Sequence, residues 1–307
     1  MTTLLDALRQ TSRVDCDTLD ANALTIQAIA FSEISRPLAG EPLLHHDALI
    51  KEAIQGARGA MKELQGAVTF EEFVVQILVS RSPPPAPLLT ILSGIVAIFK
   101  HLAPDFDTKR VCIKIPATWE GLQACRTLEM EGIATLATTM FCMEQAALAA
   151  EAQCTYIAPY VNELKVHFEA GYVDQNKAFD FCREAQAYYI NNSLRTQVLA
   201  ASLTSTDEVM QLAGIQHVTI SPNLLNGLAS TDLSAWNGKL GDYFAQGPTN
   251  KSSETKGYHT LVKDESAWRI AFTRSGFGSS EGKIIQAINY FADCQEKLEE
   301  LVRQHAA

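Results

Sequence analysis

The chain has 307 residues, 47% of them hydrophobic and 20% charged, with a formal net charge of −10. That is enough apolar material for a large core, and the length suits an α/β barrel folded as one unit. The acidic balance disfavours nucleic acid and anionic membranes as partners, while a local pocket can still oppose the global field and admit an anionic small molecule.

The opening Met1-Thr2-Thr3-Leu4-Leu5-Asp6 has no basic region followed by an apolar core, so no signal peptide is expected. The longest apolar runs are too short to span a bilayer, and the cytoplasm is the expected location. Cys16, Cys112, Cys125, Cys142, Cys154, Cys182 and Cys294 are scattered, with no CxxC pair. They read as small buried hydrophobes in a reducing compartment rather than a zinc site or a disulfide framework. No metal and no cofactor is expected.

From here the chain settles into a rhythm of short β-branched runs alternating with stretches of helical period, the signature of βα units on a parallel sheet. The strand candidates are Val14–Asp17, a weaker Leu24–Ile26, Phe73–Val79, Val111–Ile115, Ala134–Thr138, Thr155–Pro159, Gln197–Ser202 and His217–Ile220. Eight strands with helices between them predict an α/β fold, a single (β/α)8 TIM barrel over residues 1–307. Helices are expected over Leu122–Glu131 with Gly132 as its stop, over Met143–Glu151, and over Asp207–Ala213 ending at Gly214. Ser80–Pro87 and Ser230–Lys256 read as long loops. A last helix, Glu281–Gln304, carries Ile284, Ile285, Ile288, Phe291, Leu298 and Leu301 and is expected to pack across the barrel. Its apolar surface permits a homodimer.

One residue breaks the apolar pattern. Lys114 sits inside Val111-Cys112-Ile113-Lys114-Ile115-Pro116 near the end of the fourth candidate strand. Alternation places it opposite Ile113 and Ile115, so if those face the helices, the lysine faces the barrel interior. A free lysine amine has a pKa of about 10.4 and is a poor nucleophile at neutral pH. Desolvation disfavours the ammonium form, and a neutral amine can condense with a carbonyl to a Schiff base. A lysine whose charged head reaches the water at the barrel mouth is an equally good reading of these residues alone.

The residues that follow add to this. "KIPATWEGLQACRTLEMEGIATLATTMF", from Lys114 to Phe141, resembles the Schiff-base segment of the transaldolase family. "YIAPYVNEL" from Tyr156, "VLAASL" from Val198 and "HVTISPNLL" from His217 are similar to that family's sixth, seventh and eighth strands. Phe291, Ala292, Lys297, Leu298 and Glu299 match the pattern of its final helix. The resemblance implies a (β/α)8 barrel and a class I aldol mechanism with Lys114 as the Schiff-base lysine. Asp17 matches the acidic residue that ends the first strand, and Thr138 a threonine on the fifth. Gln76, Leu136 and the Ala158-Pro159-Tyr160 run are closer to the fructose-6-phosphate aldolase branch, whose tyrosine exchanges protons. The implied catalytic set is Lys114, Tyr160, Asp17, Gln76 and Thr138. Gln76 and Thr138 can orient a water, and a phenol beside an iminium can give and take a proton.

The chain departs from the family where sugar phosphates are held. Glu163 stands in place of the arginine after the sixth strand, and Thr204 in place of the basic residue two positions beyond Ser202. A carboxylate there repels a phosphate by about 4 kcal/mol at about 4 Å and an effective dielectric of about 20. Ser202, Asn162, Glu163 and Thr204 are therefore expected to meet a substrate without the usual terminal phosphate. Leu24-Thr25-Ile26-Gln27-Ala28 also replaces the family's second-strand motif. The expectation is an enzyme for a non-phosphorylated or unusual carbonyl compound. An ordinary transaldolase moving a dihydroxyacetone unit between sugar phosphates, and a barrel that has lost turnover and serves as a binding protein, are the alternatives.

Overall fold

The computed structural model describes residues 2–16, 112–238 and 257–305. The expected strands Leu24–Ile26 and Phe73–Val79, the proline loop Ser80–Pro87, the altered second-strand motif, and the Ser230–Lys256 loop beyond residue 238 lie outside them. So do the candidate site residues Asp17 and Gln76.

The described strands are β1 (Arg13–Cys16), β2 (Cys112–Pro116), β3 (Ala134–Met140), β4 (Tyr156–Pro159), β5 (Gln197–Ala200) and β6 (His217–Ile220). They form one sheet in the order β1-β6-β5-β4-β3-β2, and every neighbouring pair is parallel. The first strand therefore pairs with the last, which is the closure of a (β/α)8 barrel, and the fold is of that class.

Helices α1 (Leu4–Leu8), α2 (Trp119–Met130), α3 (Met143–Glu151), α4 (Phe179–Asn191), α5 (Thr206–Gln211), α6 (Pro222–Ser230), α7 (Tyr258–Leu261), α8 (Glu265–Arg274) and α9 (Ser279–His305) complete the described chain. Strand alternation sorts the side chains into two layers. Ile113, Ile115, Ala137, Ile157, Val198, Ala200, Val218 and Ile220 pack outward against the helices. Cys112, Leu136, Tyr156, Ala158, Leu199 and Ala201 pack inward, and Tyr160 joins them at the top. At the amino ends of the strands the interior is polar. His217 meets Asp15 at 3.2 Å through Nδ1 and Gln197 at 2.7 Å through Nε2, with the Tyr156 ring edge-on.

Helices α2, α3 and α5 lie where expected, and Gly132 follows the end of α2 with a positive φ, whereas α5 ends at Gln211 with Leu212 as its cap, short of the expected stop at Gly214. The seventh candidate strand is shorter than predicted. It stops at Ala200, because Ser202 turns to a φ of +62° and cannot continue a strand. The final helix lies across the mouth as expected, with one correction. Ile284 and Ala287 are buried, whereas Ile285 is 52% exposed. A helix buries residues three and four apart on one face, and Ile285 falls a third of a turn off it. The side chains of Leu298 and Leu301 lie outside the described set. Among the described residues no helix is long and apolar enough to cross a membrane.

The turn from β2 into α2 brings backbone close to backbone two residues beyond Lys114. Thr118 caps α2 by accepting from the Gly121 N–H at 3.0 Å. A Cβ on Gly121 would lie 2.1 Å from the Pro116 carbonyl oxygen, a backbone atom that already accepts from Thr118 N–H. Gly121→Ala should therefore lower the unfolding free energy by about 3 kcal/mol, read from urea midpoints. A loss no larger than that of an exposed helix substitution would contradict this packing.

Candidate active site

Lys114 is 7% exposed and points into the barrel, between Cys112 below it and the mouth above. Its Nζ lies 5.8 Å from the centroid of the Tyr160 ring. Tyr160 follows β4 directly. Its N–H donates to the Met140 carbonyl at 3.1 Å, it bridges to Ala201 on the other side, and the Phe141 ring stands edge-on to it at 6.1 Å. The phenol is thus fixed by backbone on both flanks.

Thr138 pairs in register with Pro116, two residues beyond Lys114. Its hydroxyl donates to the Tyr160 hydroxyl at 3.3 Å in a buried contact. The β3–β4 register shifts between Ala137 and Met140, and within that bulge Thr139 adopts a φ of +56°. A β-branched residue there is a true outlier, costing about 1–2 kcal/mol. Bulges re-aim side chains beside active sites, and this one turns the Thr138 hydroxyl toward the phenol.

Above this set, the loops after β4 and β5 are tied into a polar network. The Asn162 amide donates to the Ser202 carbonyl at 2.8 Å and to Glu208 Oε2 at 3.0 Å. Together with the Asn162 N–H on the same carbonyl, this holds Ser202 in its left-handed conformation. The Ser202 hydroxyl lies 2.9 Å from His167 Nε2. Glu208 also accepts from Thr204 N–H at 2.7 Å and Thr204 Oγ1 at 3.1 Å, and pairs with Lys177 at 2.6 Å. Burial works against the charge on Glu208, but Lys177, Thr204 and Asn162 outweigh it and hold the carboxyl below its ordinary range.

Helix α9 ties down the same loop. Glu163 accepts from the Tyr172 hydroxyl and from Gln286 Nε2 at 3.2 Å, while Gln286 Oε1 accepts from Lys165 N–H at 3.3 Å. Hydrogen bonding to Glu163 comes first, then burial and nearby carboxylates, in pushing the Tyr172 phenol up to about 12. Asp174 accepts from Glu163 N–H at 2.8 Å and Asn176 N–H at 2.7 Å, and pairs with Lys283 at 3.3 Å. Burial opposes its charge, and those two backbone donors and Lys283 overcome it, so its carboxyl is held low. The Lys283 ammonium also lies 5.7 Å from the Phe141 ring centroid, which connects this layer back to Tyr160.

The structure therefore brings together Lys114, Thr138 and Tyr160 below, and Asn162, Glu163, Ser202 and Thr204 above. Sequence reading missed Glu208, Lys177, Asp174, Lys283 and Gln286. Glu208 alone had a local signal: Ser205-Thr206-Asp207-Glu208 spells a helix start, and Ser205 does cap Glu208 N–H at 3.2 Å. Among the described residues no group of three or more His, Cys, Asp or Glu is placed to hold a metal ion.

Comparison with known proteins points to a family. The family model described as Transaldolase/Fructose-6-phosphate aldolase matches residues 92–275. A protein of Chlamydia pneumoniae named "Transaldolase" is 32% identical over 191 residues, covering 59% of this chain and 55% of its own length. A "Probable transaldolase" of Dictyostelium discoideum is 34% identical over 152 residues, covering 48% of this chain and 47% of its own. A "Transaldolase" of Prochlorococcus marinus is 29% identical over 268 residues, covering 76% and 77%. The chain spans about half the length of the first two of these relatives.

Glu208 and Asp174 both have carboxyls held below their ordinary values of 4.5 and 3.8. A depressed carboxyl stabilises the fold above its unfolded value, and that stability is lost as pH falls through the folded value. Unfolding free energy should therefore decline below about pH 4.5. Glu208→Ala should cost about 2 kcal/mol at neutral pH and flatten that decline. Urea titrations of both proteins across this range are the check, and parallel acid profiles would contradict the network.

Proposed function

The chain belongs to the transaldolase/fructose-6-phosphate aldolase family, and we propose that it is a class I aldolase that makes or breaks a carbon–carbon bond through a Schiff base on Lys114. The observation that carries this reading is the buried Lys114 amine facing Tyr160, whose hydroxyl receives the Thr138 hydroxyl at 3.3 Å.

The chemistry runs as follows. The uncharged amine adds to the carbonyl carbon of a donor ketone, and water leaves to give an iminium. A base takes the proton from the hydroxyl two carbons away. The carbon–carbon bond breaks, its electron pair moves into the iminium to form an enamine, and an aldehyde departs. Addition of the enamine to a second aldehyde gives transfer, while protonation and hydrolysis give cleavage. Tyr160 is suited to exchange these protons, and Thr138 to hold the hydroxyl or a water beside it. By resemblance, Asp17 and Gln76 complete the set.

The substrate is read as a carbonyl compound without a terminal phosphate. Glu163 is a carboxylate, and Thr204 directs both its N–H and its hydroxyl to Glu208. Among the described residues, three lysines near the mouth are each matched by an acid: Lys165 by Glu169 at 3.2 Å, Lys177 by Glu208 at 2.6 Å and Lys283 by Asp174 at 3.3 Å. A phosphate dianion needs charge-assisted donors that are not already committed. The names of the relatives favour a second reading, an ordinary transaldolase acting on sugar phosphates.

Turnover on a panel separates the two. Dihydroxyacetone with short hydroxyaldehydes should give a kcat/KM at least about tenfold above fructose 6-phosphate or sedoheptulose 7-phosphate. Tyr160→Phe should lower kcat about a hundredfold with little change in KM. Equal or better turnover of the phosphates would support the ordinary transaldolase. No turnover of any member by the folded protein would support a binding barrel.

A further inference from the structure

Gln145 is fully buried on α3, a helix that otherwise presents apolar and small residues to the core. Its amide is used on every side. Nε2 donates to the Ala117 carbonyl at 3.0 Å and to the Thr139 carbonyl at 3.3 Å. Oε1 accepts from the Phe141 N–H at 2.8 Å. Two carbonyls face the nitrogen and a backbone N–H faces the oxygen, so the orientation of the amide is fixed by its partners.

These partners are the backbone around the candidate site. Ala117 follows β2, the strand of Lys114, and its N–H donates to the Thr138 carbonyl at 2.9 Å. Thr139 is the left-handed residue of the β3 bulge, and its hydroxyl returns to the Thr138 carbonyl at 2.6 Å. Phe141 stands against the Tyr160 ring. One side chain thus joins the loop after Lys114, the bulge that aims Thr138, and the residue that supports Tyr160. A residue held at a strained positive φ persists only where the contacts around it over-determine it.

We propose that Gln145 is a positioning residue that holds the Thr139 bulge in its strained form and so keeps the Thr138 hydroxyl on Tyr160. This rests on the reading of Lys114, Thr138 and Tyr160 as the reacting set. It makes Gln145 matter for the proton-transfer step and not for the entry of substrate.

The test uses the full chain and two variants. Gln145→Met keeps the volume and removes the hydrogen bonds; Gln145→Glu sets a carboxylate oxygen against two carbonyls. The readouts are deuterium uptake at the α-carbon of dihydroxyacetone in heavy water and a crystal structure of each variant. Both variants should lose roughly tenfold to a hundredfold in exchange kcat with KM nearly unchanged. Combining Gln145→Met with Thr138→Val should be no worse than Thr138→Val alone, because both remove the same interaction. The Thr138–Tyr160 hydroxyl contact should open beyond about 3.5 Å. Wild-type exchange rates, multiplicative losses in the double variant, or an unchanged contact would each overturn the inference. A measurement on the unaltered protein covers variants that do not fold: the Phe141 amide should exchange as slowly as the strand amides, and fast exchange would overturn the clamp. Lys114→Met keeps the two claims apart. If wild-type protein shows no more exchange than this variant, the aldolase reading fails, while the crystal contact and the Phe141 amide still decide the role of Gln145.

Discussion

An amine inside a protein is unfavourable as an ion, and the site is organised around where this chain tolerates one. The constraint comes from the period of the strand. With Ile113 and Ile115 committed to the helix layer, the Lys114 side chain has one direction left, into the ring of strands. The interior there is small and apolar, formed by Leu136, Ala158, Leu199 and Ala201. Among the described residues the Tyr160 ring, whose hydroxyl accepts from Thr138, lies within reach of the amine. The Lys114 amine on one strand thus shares this space with the Thr138 and Tyr160 hydroxyls from the next two.

The charges nearer to water are handled differently. Glu208 and Asp174 are buried carboxylates; Glu208 accepts from donors on the loops after β4 and β5, and Asp174 from two backbone donors of the loop after β4 and from Lys283 of α9. They fix the loops after β4 and β5 and, through Asn162, the left-handed Ser202. Helix α9 adds Lys283 and Gln286 to the same assembly, so the C-terminal part of the chain shapes the mouth although it brings no residue to Lys114 among the contacts described. Among the described residues Lys165, Lys177 and Lys283 are each paired with a carboxylate.

Much of this was readable from residues. The inward face of Lys114 and the βα rhythm follow from local pattern, because parity acts over a few positions. The bulge at Thr139 was not readable: Ala134–Thr138 looks like an unbroken strand, and its distortion is imposed by contacts from β2 and α3. Gln145 sits in an Ala-rich helix where a single amide carries no signal of burial. The end of β5 was placed two residues late, since Ala201 and Ser202 continue a small-residue run and nothing local announces a positive φ. Ile285 was assigned to the packed face from hydrophobicity alone, and the helical angle decides otherwise. Helices α1, α4, α6, α7 and α8 carry no expectation from the sequence, and Asp17 and Gln76 lie outside the described residues.

Condensation of the Lys114 amine with a carbonyl inside the barrel can be trapped by borohydride reduction in the presence of dihydroxyacetone, followed by peptide mass spectrometry. One reduced ketone adduct is expected on the peptide containing Lys114, and none on that peptide in Lys114→Ala. Absence of an adduct with any ketone or aldehyde tried, or labelling that survives the alanine substitution, would contradict it.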